Sequence, residues 1–213
     1  TLADGSPIPE EMIGAAVMGS YMAGLDTSAI TAAFTLYAVL REPALLARIL
    51  ADVDRCFEDG ATVEAFRAMQ DLRGAVLEAN RLYPVATALP RECKKDFEFG
   101  GYQVRKGDRL LLPTVATHFD PRFFAAPERF DIERFREPRA EHKRGQVFAP
   151  YGLGSHRCLG AGMGELQTMI MVAVLLRHFE LDLHPSDYQL KIVTSPLRRP
   201  CKRFRLRVVR RRT

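Results

Sequence analysis

A single thiol lies in a glycine-rich stretch that leads into an apolar segment. Residues 151–160 read YGLGSHRCLG, with Cys158 as the thiol, and the largely apolar residues 160–179 predict a helix. Unpaired N–H groups at a helix start favour a thiolate, and glycines let the backbone turn tightly against a bulky group. The thiolate could be a nucleophile, a redox sensor or a metal ligand, and an inert buried cysteine is the alternative. Because no neighbouring residue orients His156 as a base, a ligand to one large cofactor fits best.

A lone acid lies in a long apolar segment near the start of the chain. Between residues 12 and 40 the only charged side chain is Asp26, in the sequence AGLDTS. Gly24 leaves space on the helix face, and the Thr27 hydroxyl can donate to the carbonyl of Ala23 and loosen the helix. The segment predicts a helix buried through the centre of a domain, with Asp26 as a functional acid or as a solvated polar kink. A membrane span is the competing interpretation, and it would put Asp26 near the middle of the bilayer at a high cost.

A potential ion pair lies on one helix face further along the chain. Glu78 and Arg81, in EANR, are three residues apart and share a face. An exposed pair of this kind is common and contributes little, but apolar neighbours on both sides indicate partial burial. A buried pair needs further partners, and Arg129, in PERF, is the candidate third member.

The remaining pattern predicts a mainly α fold with small antiparallel β-sheets. Helices are expected over residues 9–40, 43–58, 63–82 and 160–179. Short strands are expected at 97–99, 102–104 and 110–112, with glycine turns between them. Residues 113–150 are irregular and rich in Pro and Arg, and a β-like tail ends the chain. An ordered loop of that length is usually functional or strongly tied down.

The basic residues are concentrated at the C-terminal end. The chain has 213 residues, 47% of them hydrophobic, and a formal net charge of +5. Nine lysines and arginines follow residue 197 and no acid follows Asp187, so the rest of the chain carries a charge of −4. Nucleic-acid binding by this tail is one interpretation. The alternation of RFRLRV, residues 203–208, favours an ordinary amphipathic strand, so no nucleic-acid partner is expected.

The cysteines as a group give no sign of a zinc cluster or a disulfide framework. Cys56, Cys93, Cys158 and Cys201 are scattered, and no CxxC pair occurs. A reducing compartment is the default, so we expect a protein on the cytoplasmic side, soluble or peripheral. The chain begins at Thr1 and runs straight into a helix pattern, which leaves membrane anchoring open.

Four motifs together resemble one family. AGLDTS, EANR, PERF and YGLGSHRCLG occur in this order. Their order and rough spacing resemble the cytochrome P450 monooxygenases over essentially all 213 residues, and the cysteine motif is the most specific. The resemblance starts at the long central helix, so it implies the C-terminal half of a P450-like fold. We therefore expect residues 1–213 to form a single P450-like domain that is incomplete at its N-terminus.

The resemblance implies a haem site around the cysteine. It makes Cys158 the thiolate ligand of the iron in haem b (iron protoporphyrin IX), where a thiolate pushes electron density toward the iron. It implies that His156, and Arg91 in LPRE, bind the haem propionates. The other residues that it places around the cofactor are Ala23 and Gly24 in an oxygen-binding groove, and Tyr151, Gly152, Gly154 and Gly160 in the cysteine loop.

The same resemblance implies roles for the acid and the ion pair. Asp26 and Thr27 correspond to the pair that supplies protons to dioxygen on the distal side. Glu78, Arg81 and Arg129 correspond to a structural charged triad that holds the irregular segment behind the haem.

The implied activity is oxidation of an apolar organic substrate by O2. Electrons would come from NAD(P)H through a ferredoxin or a flavoprotein reductase. Two alternatives stay open: a haem-thiolate protein that uses peroxide or isomerises its substrate, and a non-catalytic fragment. Asp26 and Thr27 favour dioxygen, because peroxide users need no dedicated proton relay to that oxygen.

Several positions depart from the usual family pattern. Tyr151 replaces the usual Phe, and His156 and Phe119 each replace a common Arg. Gly164 and Gln167 replace the usual Ala and Glu on the helix after the cysteine. None of these changes removes the implied iron ligand or the acid–threonine pair.

Overall fold

The computed structural model describes residues 5–212, so residues 1–4 and 213 of the expected domain lie outside the described residues. The described chain is rich in helix and has four two-stranded antiparallel sheets, which confirms the predicted fold class. The helices are α1 (Glu10–Leu40), α2 (Pro43–Glu58), α3 (Val63–Ala68), α4 (Gln70–Leu82) and α5 (Ala161–His178). The strands are β1 (Leu89–Glu92), β2 (Phe97–Phe99), β3 (Tyr102–Val104), β4 (Arg109–Leu112), β5 (Phe179–Leu183), β6 (Ile192–Val193), β7 (Arg199–Pro200) and β8 (Leu206–Arg211).

Prolines and acids set the starts of the first two helices. α1 follows Pro9 and carries Glu10 and Glu11 in its first turn, where acids complement the positive end of a helix. α2 begins with Pro43, whose missing N–H costs nothing at that position. The bounds of α2 are those that the sequence predicts.

The single helix expected over residues 63–82 is two helices. Met69 separates α3 from α4, with a ψ of 82° that lies outside the helical region. Thr62 caps α3 by accepting a hydrogen bond from the N–H of Ala65 at 3.1 Å. The break lets Phe66 of α3 and Leu72 of α4 enter the same hydrophobic core.

One hydrophobic core joins the five helices. It combines the later turns of α1 with α2, α3, α4 and α5, and its most buried members include Val39, Val53, Leu72 and Val172. Burial of apolar side chains on this scale is the main force that holds the helices together. The core therefore positions the ends of α1, α4 and α5 relative to one another.

α1 is buried only along its C-terminal half. Its buried residues lie between Ser28 and Val39. The large apolar side chains before them are exposed: Met12, Ile13, Val17, Met18, Tyr21, Met22 and Leu25. α1 is long and apolar enough to cross a membrane, although half of its apolar window is buried inside the fold. The expectation of a helix buried through the domain centre is therefore wrong for the first half, because the described elements that pack on α1 meet its later turns.

In the sequence, two of the small sheets lie between α4 and the irregular segment, residues 113–150. β2 and β3 form the predicted hairpin, in which Phe99 pairs with Tyr102 around the glycine turn. β4 pairs with β1, so that Leu89 lies opposite Leu112. The sequence did not predict β1, since it is only four residues long and contains Pro90.

The basic tail forms part of a sheet. β8 pairs with β5, but it begins three residues later than the alternation indicates, and Leu206 is the only one of its six residues that is partly buried. Acids of β5 pair with its cations, at 2.9 Å for Arg207 with Asp182 and 2.5 Å for Arg210 with Glu180. The prediction of a strand in the tail is thus confirmed, whereas its amphipathic alternation does not continue through β8, where Val208 and Val209 are both exposed.

Candidate functional site

The cysteine loop is closed by main-chain hydrogen bonds. The N–H of Cys158 donates to the carbonyl of Tyr151 at 2.9 Å, and its own carbonyl accepts from the N–H of Ala161 at 3.3 Å. Within the loop, Gly152 and Gly154 have φ angles of 74° and 70°, a region that disfavours other residues. The Cys158 side chain is exposed, and it lies three residues before α5 begins.

One side of this loop lies against β1. A Cβ at Gly152 would lie 3.0 Å from Cδ1 of Leu89, and its φ of 74° disfavours other residues, so glycine suits this close approach. Leu89 and Arg91 lie on the same face of β1, because alternate residues of a strand share a face. Arg91 donates to the carbonyl of Pro90 at 2.8 Å, and within residues 5–212 no acid forms an ion pair with it. The strand that contacts the loop thus carries a cation, Arg91. His156 lies exposed within the loop itself.

The acid and threonine of α1 are close to its crossing with α5. The Thr27 hydroxyl donates to the carbonyl of Ala23 at 2.7 Å, as predicted, and α1 nevertheless stays continuous. One residue later, the Ser28 hydroxyl donates to Oε1 of Gln167 at 3.4 Å. Gln167, one of the departures from the family pattern, therefore takes part in the α1–α5 contact.

An open cavity of about 520 Å³ lies beside Asp26. One wall of this cavity is formed by α1, where the exposed Asp26 lies beside Ala29, Ile30 and Ala33. The opposite wall comes from the chain around β7: Pro196, Leu197, Arg199, Pro200, Cys201 and Phe204. Asp26 and Thr27 therefore point toward neighbouring faces of one helix, with the acid on the face that is open to solvent.

The ion pair of α4 is fully buried. Arg81 binds the Glu78 carboxylate through two nitrogens, at 2.7 and 2.9 Å, and both side chains have 0% exposure. Arg134 reaches Oε1 of the same carboxylate at 3.0 Å and is equally buried. The main-chain N–H of Asp131 adds a fourth hydrogen bond at 3.0 Å. A carboxylate with this set of donors is stable without water.

The third member of the charged triad is Arg134, which corrects the expectation of Arg129. The Arg129 side chain is exposed, and only its carbonyl enters the network, accepting from Arg81 and from Arg134. The triplet Glu-Arg-Phe occurs twice, at 128–130 and at 133–135, and the second copy supplies the buried arginine. A 3-10 helix at Ile132–Phe135 turns that side chain inward.

Arg134 has a second acid partner that sequence reasoning missed. Its Nη1 lies 2.9 Å from Glu141, which Arg139 also binds at 2.7 Å. Burial acts to raise the pKa of Glu141, but the bonds from Arg139 and Arg134 outweigh it and hold that pKa below its usual value. The buried charges of Glu78, Arg81, Arg134 and Glu141 balance one another.

His118 is a further buried member of this network that sequence reasoning missed. It is fully buried in the THFDP stretch, and its carbonyl accepts from Arg81 at 2.6 Å. Burial lowers the pKa of its imidazole to about 4. The ring contacts the main chain of Arg81 and of Ala149, which precedes the cysteine loop. A lone histidine in an irregular segment offers no sequence signal for such contacts.

A family model described as Cytochrome P450 matches residues 2–207. The chain therefore belongs to the cytochrome P450 family, whose members are haem monooxygenases, and the family expected from the four motifs is confirmed.

Individual relatives agree with this assignment. Sterol 14alpha-demethylase of Mycolicibacterium vanbaalenii is 34% identical over 195 residues, which are 87% of this chain and 43% of that protein. Cytochrome P450 3A5 of Homo sapiens is 31% identical over 189 residues, 87% of this chain and 38% of that protein. The crystal structure of the cytochrome P450DA heme domain matches with a TM-score of 0.85 and 29% identity, over 98% of this chain and 47% of that one. The chain thus spans less than half the length of these relatives.

The residues of the cysteine loop suit a haem. Within residues 5–212, no group of three or more His, Cys, Asp or Glu side chains could hold a metal ion. Cys158 offers one exposed thiol, which suits haem iron because a porphyrin brings the other donors itself. The loop also exposes Leu153 and Leu159, which offer apolar contact beside the thiol.

Replacing Arg134 by Ala should strongly destabilise the protein, because it leaves the Glu78 carboxylate buried with one charged partner fewer. We expect a loss of about 3–5 kcal/mol in the free energy of unfolding, measured by urea denaturation. The matched control is Arg129→Ala, which removes an exposed side chain and should change that free energy by less than about 0.5 kcal/mol. Equal losses in the two variants would contradict the corrected triad.

The buried His118 should make stability fall in mild acid. The unfolded chain takes up its proton near the ordinary pKa of 6.5, whereas the folded chain does so only at about 4. The unfolded state therefore binds more protons between these two pH values. The contribution of neutral His118 to the free energy of unfolding is full above pH 6.5 and is lost as the pH falls to 4. The shift corresponds to about 3 kcal/mol.

Urea unfolding at pH 7.5 and at pH 4.5 measures this effect. His118→Gln has no titrating ring, so its stability should fall less between the two pH values than that of the wild type. Other acids titrate equally in both proteins and cancel in the comparison. The same loss in both proteins would show that His118 does not cause it.

Proposed function

We propose that this chain is the haem-binding part of a monooxygenase that uses O2 to oxidise an apolar organic substrate. The observation that carries the proposal is the exposed Cys158 thiol in a closed loop that requires glycines. Bound haem would supply the oxygen-activating iron chemistry, and electrons would come from NAD(P)H through a ferredoxin or a flavoprotein reductase. Membership of the cytochrome P450 family supports this activity.

The protein groups have separate tasks in this proposal. Cys158 would hold the iron as a thiolate, while Arg91 and His156 would offer positive charge to the haem carboxylates. Thr27, whose hydroxyl already donates to the carbonyl of Ala23, would hold a proton at the distal side. Asp26 would exchange that proton with solvent, since its carboxylate borders the open cavity.

The first experiment is the ferrous–CO difference spectrum of the 213-residue chain expressed with a supply of haem. We expect a red-shifted Soret band of the thiolate type that is lost in Cys158→Ala, because alanine cannot ligate iron. Cys93→Ala is the control, since that thiol is buried and donates to the carbonyl of Lys95. A folded wild-type chain without haem uptake would contradict the proposal for this chain. The same result would leave the non-catalytic alternative.

Thr27→Ala should uncouple electron use from product formation. Loss of the hydroxyl removes a proton-holding group, so a larger share of the NAD(P)H consumed should end as hydrogen peroxide, by several-fold. Ser20→Ala is the matched control, because Ser20 makes the same bond to the carbonyl four residues earlier, at 2.9 Å, on an exposed part of α1. Peroxide yield and NAD(P)H consumption are measured with a generic reductase. Turnover with peroxide alone, unaffected by Thr27→Ala, would favour the peroxide-using alternative.

A further inference from the structure

His118 bridges two parts of the main chain that are far apart in sequence. Its Nε2 accepts a hydrogen bond from the N–H of Ala149 at 3.0 Å, and its Nδ1 lies 3.2 Å from the carbonyl of Arg81. The ring has no exposure, and it stacks on Phe148 with a centroid separation of 5.4 Å. The imidazole thus lies between the carbonyl of Arg81 and the N–H of Ala149 and is within hydrogen-bonding distance of both.

These contacts fix the protonation state of the ring. The N–H of Ala149 can only donate, so Nε2 must be the accepting nitrogen. The proton therefore lies on Nδ1, which donates to the carbonyl of Arg81. A charged imidazolium would place a second donor against the N–H of Ala149. One neutral tautomer alone satisfies both neighbours.

The bridge acts on the chain that leads into the cysteine loop. The hydroxyl of Thr117 donates to the carbonyl of Val147 at 2.6 Å, and Asn80 donates to the hydroxyl of Tyr151 at 3.2 Å. Together with His118, these residues hold positions 147, 149 and 151. Tyr151 in turn accepts from the N–H of Cys158, so the held chain continues directly into the closed loop.

We propose that His118 is a positioning residue, which sets the place of the Cys158 sulfur by tying the main chain at Ala149 to Arg81. This inference rests on the proposed function of Cys158 as an iron ligand. Residues 153–160 of the loop are exposed, and only Gly152, at its start, packs on Leu89. Their position therefore depends on the main-chain bonds behind them. Of those bonds, the one at Ala149 is the most buried and links directly to the Glu78–Arg81 pair.

The test separates the hydrogen bonds of His118 from the space that the ring fills. His118→Phe keeps an aromatic ring on Phe148 but loses both hydrogen bonds. His118→Gln keeps an acceptor for Ala149, whereas the shorter side chain of His118→Asn cannot reach it. His142→Phe is the matched control, since His142 also packs on Phe148, at 6.3 Å, and its Nδ1 has no hydrogen-bond partner among residues 5–212.

The first readout is the fraction of bound haem that gives the red-shifted ferrous–CO band, with haem content measured separately. We expect this fraction to fall at least threefold in His118→Phe and His118→Asn and to stay near the wild-type value in His118→Gln and His142→Phe. If His118→Phe does not fold, the fraction in His118→Gln is compared with that in His118→Asn, and equal fractions would overturn the proposal. A wild-type fraction in both His118→Phe and His118→Asn would overturn the proposal.

The second readout is independent of haem. Amide hydrogen exchange of residues 147–149 and 151 in the haem-free chain should accelerate at least tenfold in His118→Phe and remain unchanged in His142→Phe. Unchanged exchange in His118→Phe would also overturn the proposal. If the wild type binds no haem, the proposed function fails, and the exchange measurement still decides whether His118 holds the loop.

Discussion

The buried carboxylate of Glu78 is the constraint on which the described chain depends. A carboxylate removed from water is stable only where donors occupy its lone pairs. Arg81 lies one turn away on the same helix, but Arg134 and the N–H of Asp131 come from far along the chain. The irregular segment acquires one fixed path, because a different path would leave a charge buried without its partner. Charge pairing thus fixes the path of residues 113–150, just as hydrophobic burial fixes the positions of the helices.

Polar contacts extend from this carboxylate to the cysteine loop. Arg81 binds the carbonyl of His118, and the ring of His118 accepts from the N–H of Ala149. Because each of these links is buried, water competes little for its hydrogen bonds. The loop that follows is exposed and glycine-rich, so its own side chains contribute little to its shape. The position of Cys158 is therefore set from behind, by groups that never contact the ligand.

Local patterns in the sequence predict most of the helices and strands. They do not predict which residues distant in the sequence contact one another. The bounds of α2 and the β2–β3 hairpin follow from helix and strand periods, and the cysteine loop follows from its glycines. Arg134 could not be preferred over Arg129, because both belong to a Glu-Arg-Phe triplet and the choice depends on how an irregular chain folds. The contacts of His118 join residues 31 and 37 positions away, which no local pattern encodes. Met69 is not of a residue type that ends a helix, and its side chain lies in the hydrophobic core, so the local pattern did not indicate the break between α3 and α4.

The chain behind Cys158 and the first half of α1 differ in how far the described residues bury them. Behind Cys158 the charges are paired and buried. On the α1 side, Asp26 borders an open cavity, and large apolar side chains between Met12 and Leu25 lie exposed. A series of exposed large apolar side chains on one helix is typical of a surface that makes contacts with another surface. The position of the cysteine loop and the covering of α1 are therefore separable: the Glu78 network contributes to the first, and it leaves the large apolar side chains between Met12 and Leu25 exposed.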